Sequence, residues 1–181
     1  GDTIVGSAAG EGLAAGDGAD SLAGAGGADS LDGGAGNDTL DGGDLGDTLR
    51  GGDGNDILFG APGTDSMDGG NGVDTLTYAR ATAGVTMNLA GFGTVGDAAG
   101  DSASGFERIV GSNFADTVGG GSGAESIAGA NGSDSLSGQG GADSLDGGSG
   151  NDTLDGGDLG DTLRGGDGDD TVVGGAGARQ Q

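Results

Sequence analysis

The sequence contains no cysteine, no histidine, no lysine and no tryptophan, has a single proline, and places aromatic residues at only 3% of its positions. Each absence removes a class of function. Without Cys there is no disulfide and no thiolate metal site, and without His the usual nitrogen ligands of zinc are gone, so any bound metal must be held by oxygen. Thirty acidic residues stand against five arginines, for a formal net charge of -25. No basic surface is left for a nucleic-acid backbone or an anionic lipid headgroup, so no nucleic acid is expected as a partner. No run is apolar enough for a membrane span or for the core of a signal peptide, so no membrane insertion is expected either. The hydrophobic fraction is 31%, where ordinary soluble domains are nearer one half. A conventional single core is therefore not expected, and by composition alone the chain would be a disordered spacer. Gly1 rather than Met at the first position is what a piece of a longer protein would show.

What the sequence has is glycine, 51 residues of it, laid out in a nine-residue phase. Aliphatic residues recur at Ile4, Leu13, Leu22, Leu31, Leu40, Leu49, Leu58, Met67 and Leu76, and again at Ile109, Val118, Ile127, Leu136, Leu145, Leu154, Leu163 and Val172. Two positions before each stands an acid: Asp2, Glu11, Asp20, Asp29, Asp38, Asp47, Asp56, Asp65 and Asp74, then Glu107, Asp116, Glu125, Asp134, Asp143, Asp152, Asp161 and Asp170. The phase holds through residues 1–77 and 102–181. Residues 78–101 interrupt it, with one alternating run, Val85-Thr86-Met87-Asn88-Leu89, that predicts a half-buried strand. The pattern stops at the end, where Arg179 takes the acid position and Gln181 the aliphatic one. A longer duplication overlies the short one: residues 20–56 match residues 134–170 except at Ala23/Ser137, Ala25/Gln139, Ala35/Ser149 and Asn55/Asp169.

Nine residues of the form G-G-x-G-x-D-x-U-x, with U aliphatic, can make one short strand and one reversal. Thr39-Leu40-Asp41 forms a minimal strand with its middle side chain inward. Gly33 to Asp38 must turn, and the glycines permit positive φ and close approach of carbonyl groups. Two units close a flat coil of 18 residues, and stacked coils give an all-β parallel β-roll, a β-solenoid of two short parallel sheets. Asp32, Asp41, Asp68, Asp146 and Asp155 follow the inward residue and are expected to face solvent, with Arg50 and Arg164 as surface partners.

Stacking brings acid over acid: Asp20, Asp38, Asp56 and Asp74 on one edge, Asp29, Asp47 and Asp65 on the other. Bare carboxylates about 5 Å apart repel, and a hard cation between them reverses the sign. Carboxylate and carbonyl oxygens at flexible glycine turns suit Ca²⁺ with its loose coordination better than Mg²⁺. The spacing gives about twelve stacked pairs, hence roughly a dozen Ca²⁺. One buried Leu contributes roughly 1.5–3 kcal/mol, far short of ordering nine residues at about 1–2 kcal/mol each. Folding and metal binding are thus expected to be one event. The expected metal ligands are Asp2, Asp20, Asp29, Asp38, Asp47, Asp56, Asp65, Asp74, Asp116, Glu125, Asp134, Asp143, Asp152, Asp161 and Asp170.

The nonapeptide resembles that of the RTX, or haemolysin-type calcium-binding, family. Gly33–Asp41, Gly51–Phe59, Gly69–Thr77 and Gly147–Asp155 are the best copies. The insertion resembles a spacer found between RTX blocks, in Tyr78, Gly84 to Leu89, Gly100-Asp101 and Phe106 to Ser112. The resemblance implies a calcium-bound β-roll, with the sixth-position aspartates and turn carbonyls as ligands. It also implies type I secretion in an unfolded state and folding outside the cell, where calcium is high. Three turns depart from the pattern: the two copies of GGDLGD have Leu45 and Leu159 in place of the fourth glycine, and GSAAGE carries Glu11 as its acid.

No catalytic set is visible, since His and Cys are absent and Glu107 sits in phase within the degenerate repeat SASGFERIV. The chain is therefore not expected to be an enzyme. An ice-binding face would need an unbroken Thr or Asn ladder, which Ala19 and Val73 break beside Asn37 and Asn55. Two readings remain. One is a structural module of a secreted or cell-surface protein: an adhesin, a surface layer or an extracellular filament, with exposed solenoid ends suited to end-to-end self-association. The other is an accessory folding and secretion module of a secreted enzyme such as an alginate epimerase, protease or lipase.

Overall fold

A computed structural model describes residues 1–91 and 93–175 together with the backbone strand at residues 179–180; Gln181, expected at an aliphatic position, and the side chain of Arg179 lie outside the described residues. The chain winds as a parallel β-solenoid. One face is a continuous ten-stranded sheet, running through Thr3–Val5, Ser21–Ala23, Thr39–Asp41, Ile57–Phe59, Thr75–Thr77, Arg108–Val110, Ser126–Asn131, Ser144–Ser149, Thr162–Asp167 and Arg179–Gln180. The opposite face is split. Gly12–Asp17, Ser30–Ala35, Thr48–Asp53, Ser66–Asn71 and Ser102–Ser104 form one five-stranded sheet; Thr86–Asn88, Thr117–Gly119, Ser135–Ser137, Thr153–Asp155 and Thr171–Val173 form another. The two faces of a roll are thus present, but one of them is made of two sheets.

Register follows the sequence phase one to one. Leu22 pairs with Leu40, Leu40 with Leu58 and Leu58 with Leu76. Each of these side chains is at most 1% exposed, because a three-residue strand turns its middle side chain inward and its neighbours out. The six-residue strands extend the pairing into the turn glycines, as where Gly34 pairs with both Gly16 and Gly52. Gly34 has φ +102, and a Cβ there would meet the carbonyl of Gly16; only glycine lets adjacent coils approach so closely.

The insertion accounts for the split. Leu76 pairs directly with Ile109 on the continuous face, so one coil there spans 33 residues instead of 18. On the other face the strand inside the insertion joins the later coils, and the strand that directly follows the insertion joins the earlier ones. Thr86–Asn88, expected as a strand, pairs with Thr117–Gly119 of the later coils, whereas Ser102–Ser104 pairs with Ser66–Asn71 of the earlier ones. Tyr78, Ala81, Val85, Met87, Ala98 and Phe106 are buried against the earlier column of aliphatic residues, and Leu89 packs against both columns. Arg80 fastens the insertion from outside: its guanidinium lies 3.7 Å from the Phe59 ring centroid and pairs with Asp41.

Because of that odd coil, the duplicated segments fall on opposite faces. Leu22 lies in the ten-stranded sheet, while its counterpart Leu136, 114 positions on, lies in the second five-stranded sheet. Among the described residues no helix is long and apolar enough to cross a membrane.

Candidate metal centre

Each unit delivers its acid at the end of the glycine turn, where the chain re-enters the strand ladder, so the solenoid stacks acid over acid. The backbone N–H of Asp20 donates to Oδ1 of Asp38, that of Asp38 to Asp56, and that of Asp56 to Asp74, at 2.7–2.8 Å. The other edge repeats this from Asp29 to Asp47 to Asp65 at 2.8 Å. Beyond the insertion, Asp116, Asp134, Asp152 and Asp170 form one row and Glu125, Asp143 and Asp161 another, at 2.8–3.0 Å. All of these acids are buried except Asp170, which is half-buried; Asp2, whose N–H donates to Asp20, is exposed.

The ladder uses only one oxygen of each carboxylate. Oδ2 of Asp20, Asp29, Asp38, Asp47, Asp56, Asp74, Asp134, Asp143, Asp152 and Asp161 is buried without a hydrogen-bond partner. A buried carboxylate oxygen left without a donor is costly, and here the cost recurs along every row. These oxygens have company. A Cβ placed on Gly33 would lie 2.5 Å from Oδ2 of Asp38 and 2.7 Å from the carbonyl oxygen of Gly51. The same pair, an acid five residues on and a carbonyl 18 residues on, converges in front of Gly24, Gly51, Gly111, Gly129, Gly138 and Gly147. With Glu11 and Glu125 as acids it converges in front of Gly6 and Gly120 as well. Each of these units thus holds a small cradle open to two oxygens and closed to a side chain.

Burial raises the carboxyls accordingly. Asp65 is pushed up to about 7, and Asp134 and Asp143 to about 6, chiefly by loss of solvent, with neighbouring acids in the rows adding to it. Asp47, Asp56, Asp74 and Asp101 are raised for the same first reason. Glu11 goes the other way, lowered by the hydroxyl of Ser7. A divalent cation in the cradles would supply the positive charge that these oxygens lack, with Asp Oδ2 and glycine carbonyls as its protein ligands; all-oxygen donors on a flexible turn suit calcium. Among the described residues no group of three or more Asp or Glu side chains converges, so the oxygens at each position are one carboxylate and backbone carbonyls.

Some expected ligands differ. Asp116 has donors for both oxygens, Oδ2 from Ser112 N–H at 2.6 Å and Oδ1 from the Ser112 hydroxyl at 2.7 Å. Glu125 accepts from Gly121 N–H at 3.1 Å. Two rungs went unexpected as sites: Asp101 Oδ1 accepts from Asp65 N–H at 2.8 Å, and Glu107 Oε2 from Asp74 N–H at 2.9 Å. Asp101 could have been found from its place two residues before Ala103, an inward position filled by alanine in place of a larger aliphatic residue. Of the surface arginines, Arg164 pairs with Asp146 at 3.0 Å, both largely exposed.

The family described as RTX calcium-binding nonapeptide repeat (4 copies) matches residues 14–46, 41–76, 101–136, 119–154 and 155–178. No curated protein matches the chain.

Proposed function

The chain belongs to the RTX calcium-binding nonapeptide-repeat family, and on that premise we propose that it is a calcium-stiffened structural segment of a large secreted or cell-surface protein. The observation that carries this reading is the row of buried, donorless Oδ2 atoms, those of Asp29, Asp38, Asp56, Asp134, Asp143 and Asp152 each facing a glycine carbonyl. A carboxylate so placed favours the fold only when a cation is present, which couples rigidity to calcium. The ligands we assign are Asp20, Asp29, Asp38, Asp47, Asp56 and Asp74 in the earlier coils and Asp134, Asp143, Asp152 and Asp161 in the later ones. Asp2, Asp116, Glu125 and Asp170 act as weaker or terminal positions, for roughly a dozen ions in all.

In the low-calcium interior of a cell the same carboxylates oppose compaction, which suits type I export as an unfolded chain. Outside, calcium closes the roll. The near-identical recurrence of residues 20–56 at 134–170, 114 positions on, favours a repetitive rod, as in an adhesin, surface layer or filament, over a single accessory module beside an enzyme. No catalytic role is assigned to the segment. The test is far-UV circular dichroism during a calcium titration, with magnesium as control. A cooperative coil-to-β transition with calcium alone is expected; β-structure that survives chelation at neutral pH would overturn the reading.

A further inference from the structure

Gly60 opens the turn that ends in Asp65, as Gly24, Gly33 and Gly51 open theirs. In those three turns the space ahead of the glycine is bounded by an Asp Oδ2 and by the carbonyl of the residue 18 on, which is a glycine each time. At Gly60 the residue 18 on is Tyr78, and its ring fills the space: Cζ lies 2.5 Å and Cδ1 2.6 Å from where a Cβ on Gly60 would sit. The ring is 1% exposed, and its hydroxyl donates to Oδ2 of Asp101 at 2.9 Å.

Asp101 is the rung after Asp65, and it lacks a cradle of its own. Five residues before it stands Gly96, whose Cβ position meets the carbonyl of Gly84 and a methyl of Val85, not the Asp101 carboxylate. Neither Asp65 nor Asp101 has the buried, partnerless Oδ2 found at Asp29 and Asp47.

We propose that Tyr78 closes this row of cation sites, its ring standing where the ion beside Asp65 would sit and its hydroxyl satisfying Asp101 in place of an ion. The inference rests on the calcium reading above and narrows it. The row on this edge ends at Asp47, and the junction where the face splits is held by a hydrogen bond from the phenol to the Asp101 carboxyl. A phenol donor needs no calcium to be in place, so the seam between the two short sheets is sealed by the chain itself.

The experiment counts calcium bound per folded chain by equilibrium dialysis, for the wild type and for Asp47→Asn, Asp65→Asn and Asp101→Asn, with folding checked by circular dichroism. Tyr78 is the one tyrosine and there is no tryptophan, so its fluorescence reports whether the junction is formed. Asp65→Asn and Asp101→Asn are expected to bind as many ions as the wild type, and Asp47→Asn at least one fewer. Loss of an ion in either of the first two overturns the proposal. Retention of every ion in Asp47→Asn overturns the calcium reading beneath it, a separate result. If Asp65→Asn does not fold, Tyr78→Ala decides, since it empties the cradle and frees Asp101: at least one additional ion per folded chain supports the plug, and an unchanged count overturns it.

Discussion

The backbone N–H of Asp38 donates to Oδ1 of Asp56, 18 residues on, at 2.8 Å, while Oδ2 of both side chains is buried without a donor. One half of each carboxylate therefore builds the ladder, and the other half burdens it.

Asp56→Asn separates the two halves. The amide keeps an oxygen for the Asp38 N–H but removes the anionic Oδ2 of a carboxyl raised first by burial and then by repulsion from Asp74 and Asp38. In saturating calcium the variant is expected to be less stable by about 1–3 kcal/mol. In chelator its residual β-signal is expected to equal or exceed that of the wild type. Calcium titrations followed by circular dichroism read both effects; a loss of equal size in both conditions would mean that Oδ2 holds no cation.

Gly33→Ala tests the cradle without touching a carboxylate. Its methyl would lie between Asp38 Oδ2 and the Gly51 carbonyl, whereas a methyl on Gly12 meets nothing within 4 Å. Gly33→Ala is expected to raise the calcium midpoint tenfold or more, ~1.4 kcal/mol, and Gly12→Ala to stay within about 0.5 kcal/mol of the wild type. Equal effects from the two would leave the cradle without function.

Leu45 sits at φ 79 with 62% of its surface exposed, and Leu159 repeats it at φ 76. A left-handed residue with a Cβ is strained by roughly 1–2 kcal/mol, partly offset by the entropy that glycine loses on folding. Leu45→Gly is expected to stabilise the calcium-loaded roll by about 1 kcal/mol in denaturant unfolding. Destabilisation would show that the exposed side chain makes a contact that favours the fold.

Acid should partly replace calcium. Asp65, Asp134 and Asp143 are raised in the fold from 3.8 to between about 6 and about 7. A carboxyl raised in this direction contributes stability that is fully present below its unfolded value and lost as pH rises through its folded value. In chelator, lowering the pH from about 7.5 to about 5 should therefore increase β-structure. A β-signal that does not rise over that range would contradict the burial of these acids.

Much of this architecture is legible in the sequence because the nine-residue phase carries it. Leu40 and Asp38 recur at fixed spacing, and in a solenoid fixed spacing is register. The legible part ends where spacing no longer maps onto space. Asp101 follows Asp65 by 36 residues and Glu107 follows Asp74 by 33, yet each is the next rung of its row. The crossing of Thr86–Asn88 and Ser102–Ser104 has no local signal, since a strand's own residues do not say which coil it will join. Tyr78 reads as a spacer residue until Gly60 is found beneath its ring.

The odd coil at the insertion also governs how this chain meets its surroundings. Arg50 and Arg164 are sequence equivalents, yet Arg50 stands on the split face and Arg164 on the continuous one. The two copies are related by a half-turn screw, with an advance of about 26 Å for five and a half coils at 4.8 Å each. Whatever recognises one copy meets the other pointing the opposite way. A partner reading this motif from one side of the solenoid would reach a single copy, and two bound to equivalent sequences would stand back to back.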